Sequence, residues 1–204
     1  MVNNESKNIE VEIRARLDDI KSFKKLIERV EAKPVASLYV CDIYFCKKTA
    51  KKVEDVEMDE VGSYSVRLRK IRKGTSKEKF TINTKTITHH GDHNAWEERE
   101  VEVNDFSEVV KIFNTMEFKP FFKLEKERFV YTLDNMEVCV EDIVDFGGAV
   151  EVEIMCSNNE EAVEAKRKIK DFLHKCNIND ESIVPKSITN IIMKERAFKQ
   201  EIVI

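Results

Sequence analysis

Glycine and proline are scarce in this chain, with five and three among 204 residues, and tryptophan occurs once. So few chain-breaking residues exclude a low-complexity linker and a collagen-like repeat. No stretch approaches the ~18 consecutive apolar residues of a membrane-spanning helix. The opening MVNNESKNIEVEIRARL has no apolar core of the kind a secretion signal needs. A cytoplasmic protein without membrane contact is therefore expected. An excess of one charge is missing too: 35 Lys and Arg stand against 39 Asp and Glu, a net of −4. Nothing in that balance calls for nucleic acid as a partner. The cysteines, Cys41, Cys46, Cys139, Cys156 and Cys176, are odd in number and include no CxxC pair. Such a set reads as reduced thiols, not a disulfide framework or a zinc site. Walker A, GxGxxG and nucleophile-elbow patterns are also absent.

Charge of both signs is what the chain has in abundance. Charged residues make up 36% of it, against roughly 25% in an average domain. A hydrophobic share of 42% at this length can still fill one core. One domain over residues 1–204, with its core over about 8–195, is expected.

The charges fall where strands are predicted. Residues 8–17 alternate, with Ile9, Val11, Ile13 and Ala15 on one side and Glu10, Glu12, Arg14 and Arg16 on the other. Further strands are predicted over 35–46, 63–72, 77–87, 95–104 and about 119–132, 136–144 and 148–155. Asp18 or Asp19 caps a helix to about residue 32. Other helices are expected over about 105–116 and 159–175, and after Pro185, where Ile188, Ile191, Ile192 and Met193 recur. Eight mostly consecutive strands with four helices make an α+β fold, largely antiparallel, with the helices packed outside.

Parity places Glu10, Glu12, Glu98, Glu100, Glu102, Glu141, Glu151 and Glu153 on the polar faces, with Arg14, Arg16, Arg67, Arg69, Lys79, Lys85, Lys126 and Arg128. Two arrangements accommodate them. In an open sheet they are simply solvated. In a closed barrel of about eight strands, which can hold one small ligand, they turn inward and need neutralising. A polyphosphate with a divalent cation supplies both signs, since Arg and Lys take phosphate oxygens and carboxylates hold Mg²⁺ or Mn²⁺.

Several of these segments carry a resemblance. Glu10-Val-Glu12-Ile-Arg14 is similar to the ExExK motif of the CYTH superfamily, the triphosphate tunnel metalloenzymes. Arg67-Leu-Arg69, Lys85, Glu98 to Glu102, Lys126-Glu-Arg128 and VEDIVDFGGAVEVEI at 140–154 follow in the family's order, so the likeness covers about residues 8–195. LEKERFVY at 124–131, DIYF at 42–45 and VPKSITNIIMKE at 184–195 most resemble the class IV adenylyl cyclases, although Ile188 replaces a tyrosine of that pattern. The resemblance implies an eight-stranded antiparallel closed tunnel with helices outside. It implies Mg²⁺ or Mn²⁺ on Glu10, Glu12, Glu100, Glu141, Glu151 and Glu153. Phosphate would lie against Arg14, Arg67, Arg69, Lys85, Lys126 and Arg128, with Arg14, Lys85 and Lys126 nearest the chemistry. The implied reaction converts ATP to cyclic AMP and pyrophosphate. A tripolyphosphatase or a nucleoside or thiamine triphosphatase would use the same clamp, as would a non-catalytic triphosphate sensor. The implied protein is a monomer or homodimer. Two positions depart from the pattern. Arg14 stands where a lysine is usual and cannot act as a base, and Glu141 stands where an aspartate is usual.

Other features fit plainer roles. His89, His90 and His93 lie in a loop typical of solvated histidines, and Trp96 fits packing. Lys47, Lys48, Lys51 and Lys52 read as a solvated run, and Cys139 as a small buried filler that shares Glu141's parity.

Overall fold

The computed structural model describes residues 9–58, 60–87, 96–184, 187–199 and 202. The histidine loop and the Trp96 side chain lie outside them. The alternating segment forms β1, Ile9–Leu17. Asp19 then accepts a hydrogen bond from the Ser22 amide at 3.1 Å and caps α1, Ile20–Arg29, which buries Phe23 and Ile27. Strands β2 (Lys33–Lys47), β3 (Tyr64–Lys73), β4 (Lys79–Ile87) and β5 (Trp96–Val103) follow. Asp105 caps α2, Phe106–Thr115, by accepting from the Glu108 amide. Next come β6 (Phe118–Leu133), β7 (Met136–Ile143) and β8 (Gly147–Cys156). Asn158 caps α3, Asn159–Lys175, and the described chain ends on β9 (Ile183–Val184) and α4 (Ile188–Arg196). None of these helices is long and apolar enough to cross a membrane.

The expected closed eight-stranded barrel is corrected by the pairing. Among the described residues nine strands form one sheet, ordered β5-β4-β3-β2-β6-β7-β8-β1-β9, with β5 and β9 at its open ends. Each end is protected in a way that makes closure unnecessary. Strand β5 carries Glu97, Glu98, Arg99, Glu100 and Glu102, all exposed. Strand β9 has two residues, too few to template another strand, and the sequence continues into Pro185, which has no N–H to donate.

The chain divides into two compact units, Met1–Ser37 with Arg128–Ser187 and Leu38–Glu127 with Ile188–Ile204, and β2 and β6 run through both. In the first unit, one face of β1, β7 and β8 contributes Ile13, Ala15, Val138, Val140, Val150, Val152 and Ile154 to a core. Helix α1 adds Phe23 and Ile27, and α3 adds Ile169, Phe172 and Leu173. Helix packing thus uses the apolar parity of each strand and leaves the charged parity on the opposite face. In the second unit, Cys41, Ile43, Phe45, Val66 and Leu68 pack with Val109 and Phe113 of α2. Lys48 donates to the Asn114 carbonyl at 3.0 Å and pairs with Glu117, and Lys47, Lys51 and Lys52 are exposed.

Gly148 pairs with Leu17 where β8 begins. A Cβ there would lie 2.7 Å from both the Leu17 carbonyl oxygen and Ile20 Cγ1. Because the first of these is backbone, a larger residue must push β1 from β8. Gly148→Ala is expected to cost about 1–3 kcal/mol, lowering the melting temperature by roughly 3–10 °C. A thermal melt unchanged within about 1 °C would show that the two strands tolerate the extra atom.

Candidate active site

In the first unit the register of β7, β8 and β1 lines up the charged face row by row. Glu137, Glu153 and Glu12 form one row, Cys139, Glu151 and Arg14 the next, and Glu141, Ala149 and Arg16 a third. Directly opposed carboxylates repel, so the first row costs free energy as it stands. Glu12, Glu151 and Glu153 bring carboxylate oxygens within 4.8 Å of one another, and Glu137, Cys139 and Glu153 form a second such group. Burial, and after it the charges of Glu151, Glu10 and Glu137, push Glu153 up to about 7. A divalent cation suits the oxygen-only group, because it would relieve the repulsion that raises Glu153 and match hard ligands.

Two arginines flank these acids. Arg14 donates Nε to Glu151 Oε1 at 2.6 Å and forms an ion pair with Glu12. Arg128 donates Nε to Glu141 Oε1 at 2.7 Å and Nη2 to Glu151 Oε2 at 3.3 Å. Burial pulls both guanidinium pKa values down. Glu151 and Glu12 outweigh it for Arg14, and Glu141 and Glu151 for Arg128, so both end above the ordinary value. Glu151 is therefore held by two cations while it stands among the clustered carboxylates. Cys139 is both buried and on this charged face, its thiol donating to Glu137 at 3.4 Å and its pKa pushed well up by burial.

The remaining expected acids are not among the three clustered oxygen ligands, although the charge of Glu10 acts on Glu153. Glu141 is 5% exposed and tied to Arg128. Glu10 is exposed, one row beyond Glu12 and opposite Met155. Glu100 is exposed on the edge strand β5, opposite Asn83 in the second unit.

The second unit carries its own charged face. Its rows are Asp42, Arg69, Thr81 and Glu102, then Tyr44, Arg67, Asn83 and Glu100. Arg69 grips Asp42 with two bonds, Nε to Oδ1 at 2.7 Å and Nη2 to Oδ2 at 2.9 Å. Burial would raise the pKa of Asp42, but Arg69 and Arg67, with Lys126 beyond them, hold it well below the usual carboxylate range. Lys85 pairs with Glu98 at 3.0 Å, and Asn83 donates to the same carboxylate. Lys126 is buried and its charge acts on Asp42, whereas the neighbouring Glu127 is exposed.

Sequence reasoning passed over Asp42, Asn83 and Glu137 as site residues. A signal for Asp42 was present, since it is the sole charged residue between Lys33 and Lys47. A carboxylate alone in an apolar strand must find cations. Asn83 had no such signal, because its burial depends on which strands flank β4.

Comparison with known proteins adds a family. The CYTH domain profile matches residues 8–188. A Methanocaldococcus jannaschii protein named "Putative adenylate cyclase" is 24% identical over 183 residues, covering 88% of this chain and 95% of that one. A Pyrococcus horikoshii protein of solved structure is similar at 26% identity and TM-score 0.69, covering 87% of this chain and 96% of its own. A Vibrio parahaemolyticus structure titled a "putative adenylate cyclase" shares the fold at TM-score 0.71 and 12% identity, over 90% of this chain and 97% of that one.

Proposed function

We propose that this chain, which belongs to the CYTH domain family, is a metal-dependent enzyme that binds ATP by its triphosphate and converts it to cyclic AMP and pyrophosphate. The observation that carries this is the Glu12, Glu151 and Glu153 cluster interleaved with Arg14 and Arg128 on one sheet face. Acids and cations alternate there at ion-pair distance, a pattern that suits a metal-bound polyphosphate. The names carried by the similar proteins favour the cyclase reading over hydrolysis.

Glu12, Glu151 and Glu153 would hold Mg²⁺ or Mn²⁺, which polarises phosphoryl oxygens when bound. Arg14 and Arg128 orient Glu151 from two sides and offer their remaining N–H groups to phosphate oxygens. Arg14 stays protonated, so its part is to clamp and not to accept a proton. In the second unit, Arg67, Arg69, Lys85 and Lys126 form a basic set of their own whose N–H groups would suit phosphate oxygens. The ribose 3′-oxygen loses its proton to solvent and forms a bond to the α-phosphorus. The bond from that phosphorus to the bridging oxygen breaks, and the cations carry the charge of the departing pyrophosphate.

The test is product analysis with pure protein and ATP, GTP, thiamine triphosphate or inorganic tripolyphosphate, with Mg²⁺ or Mn²⁺ and with EDTA. Cyclic AMP and pyrophosphate in equal amounts, lost in EDTA, are expected. Inorganic phosphate as the main product would replace the cyclase reading with a triphosphatase. Turnover persisting in EDTA would sink the metal role.

A further inference from the structure

Asp42 is 1% exposed on a strand that is otherwise uncharged from Pro34 to Cys46. Burying a carboxylate so completely is costly unless it is paired. Its two oxygens are taken side-on by Arg69, at 2.7 and 2.9 Å. Arg67, two residues along the same strand face, is treated differently. Its Nε lies 3.8 Å from Asp42 Oδ1, within ionic reach but beyond a hydrogen bond. Among the described residues that buried Nε has no hydrogen-bond partner, and neither has the buried hydroxyl of Thr81, which stands opposite Arg69 on β4. The charge of Glu98 also acts on Arg67, but no acceptor among the described residues takes Arg67 Nε or the Thr81 hydroxyl, so this spot keeps two unsatisfied donors. An oxyanion answers both.

We infer that Asp42 is a positioning residue for the triphosphate. It holds Arg69 by its Nε–Nη2 edge, so that Arg67 and Thr81 can donate to an oxygen of the phosphate chain. This rests on the triphosphate reading above. The two arginines are then inequivalent: Arg69 has its fork occupied by Asp42, and Arg67 keeps its Nε for the ligand. A carboxylate that served only to offset charge would behave oppositely, because removing it would leave more positive charge and strengthen anion binding.

The experiment is calorimetric titration of inorganic tripolyphosphate in EDTA into the wild-type protein, Asp42→Asn and Asp42→Glu, with thermal melts to establish that each is folded. EDTA isolates the basic residues from any metal. Both variants are expected to bind at least about 10-fold more weakly, Asp42→Asn because Arg69 loses its charged anchor and Asp42→Glu because the anchor is displaced by one methylene. Asp42→Asn binding as tightly as wild type or tighter overturns the inference and leaves the proposed function standing. Wild-type affinity in Asp42→Glu does the same. Absence of tripolyphosphate binding by the wild type overturns both. If Asp42→Asn fails to fold, Asp42→Glu decides alone, since it keeps the buried charge that the arginines require.

Discussion

Glu153→Gln is expected to abolish metal-dependent turnover while making the metal-free protein more stable above neutral pH. The two effects have one origin. Glu153 sits in a row between Glu137 and Glu12 and beside Glu151, and burial with the charges of Glu151, Glu10 and Glu137 raises it to about 7. A carboxyl with a raised folded-state pKa binds its proton more tightly folded than unfolded. Stability is then fully present below the unfolded value and is lost as pH rises through the folded value of about 7. After allowance for partial solvent screening, the loss is on the order of 1–2 kcal/mol. Gln keeps the shape, cannot ionise and escapes that loss. In EDTA at pH 8 the variant should melt roughly 3–6 °C above the wild type, and at pH 5 alongside it. Turnover of ATP with Mg²⁺ should fall at least about 10³-fold, since a metal ligand supports several kcal/mol of transition-state charge. Parallel pH profiles for the two proteins in EDTA would remove Glu153 from the repelling row. Wild-type turnover by Glu153→Gln would remove it from the metal set.

Arg128→Ala is expected to produce the largest stability loss of any single change on the charged faces. Its guanidinium is a hydrogen-bonded partner of Glu141, which is 5% exposed, and a second partner of Glu151. Removing one member of a buried pair leaves an uncompensated charge, at roughly 3–5 kcal/mol. Replacing the pair by neutral groups of similar size avoids that penalty, so Arg128→Met with Glu141→Gln should recover most of the stability. Phosphate binding should not recover, because a charge-assisted contact worth roughly 1.5–3 kcal/mol is still missing. Melting curves and tripolyphosphate titrations of both variants separate the roles. A double variant that regains stability and affinity together would make Arg128 purely structural. A single variant as stable as wild type would mean that Glu141 does not depend on Arg128.

Much of this was legible because it is local. The alternation of residues 8–17 became β1, with its apolar side in the core and Glu12 and Arg14 opposite. Asp19 caps α1 as one of the two aspartates expected to, and α3 spans the residues that its periodicity marked. Period and capping act within a few residues, so a linear reading contains their cause. The same parity set Glu151 and Glu153 apart from Val150, Val152 and Ile154, which lie in the core.

Adjacency was not legible. Whether Glu153 faces two carboxylates or two arginines depends on the register of β8 against β1 and β7, which pairs residues as far apart in the chain as Ile9 and Cys156. Glu100 shares the parity of Glu98 and Glu102, yet its strand is the sheet's edge, so it stands exposed opposite Asn83. The open sheet has the same origin, for alternation makes a strand's two faces different but does not say which strands end without neighbours. Asp42 belongs here as well: one acid in an apolar strand requires cations, but only the pairing of β2 with β3 supplies Arg69 and Arg67. The amino-acid order thus specified which side chains are charged and which way each strand turns them. The packing of strands far apart in the chain specified which charges meet, because hydrogen-bond register couples residues that no local periodicity connects.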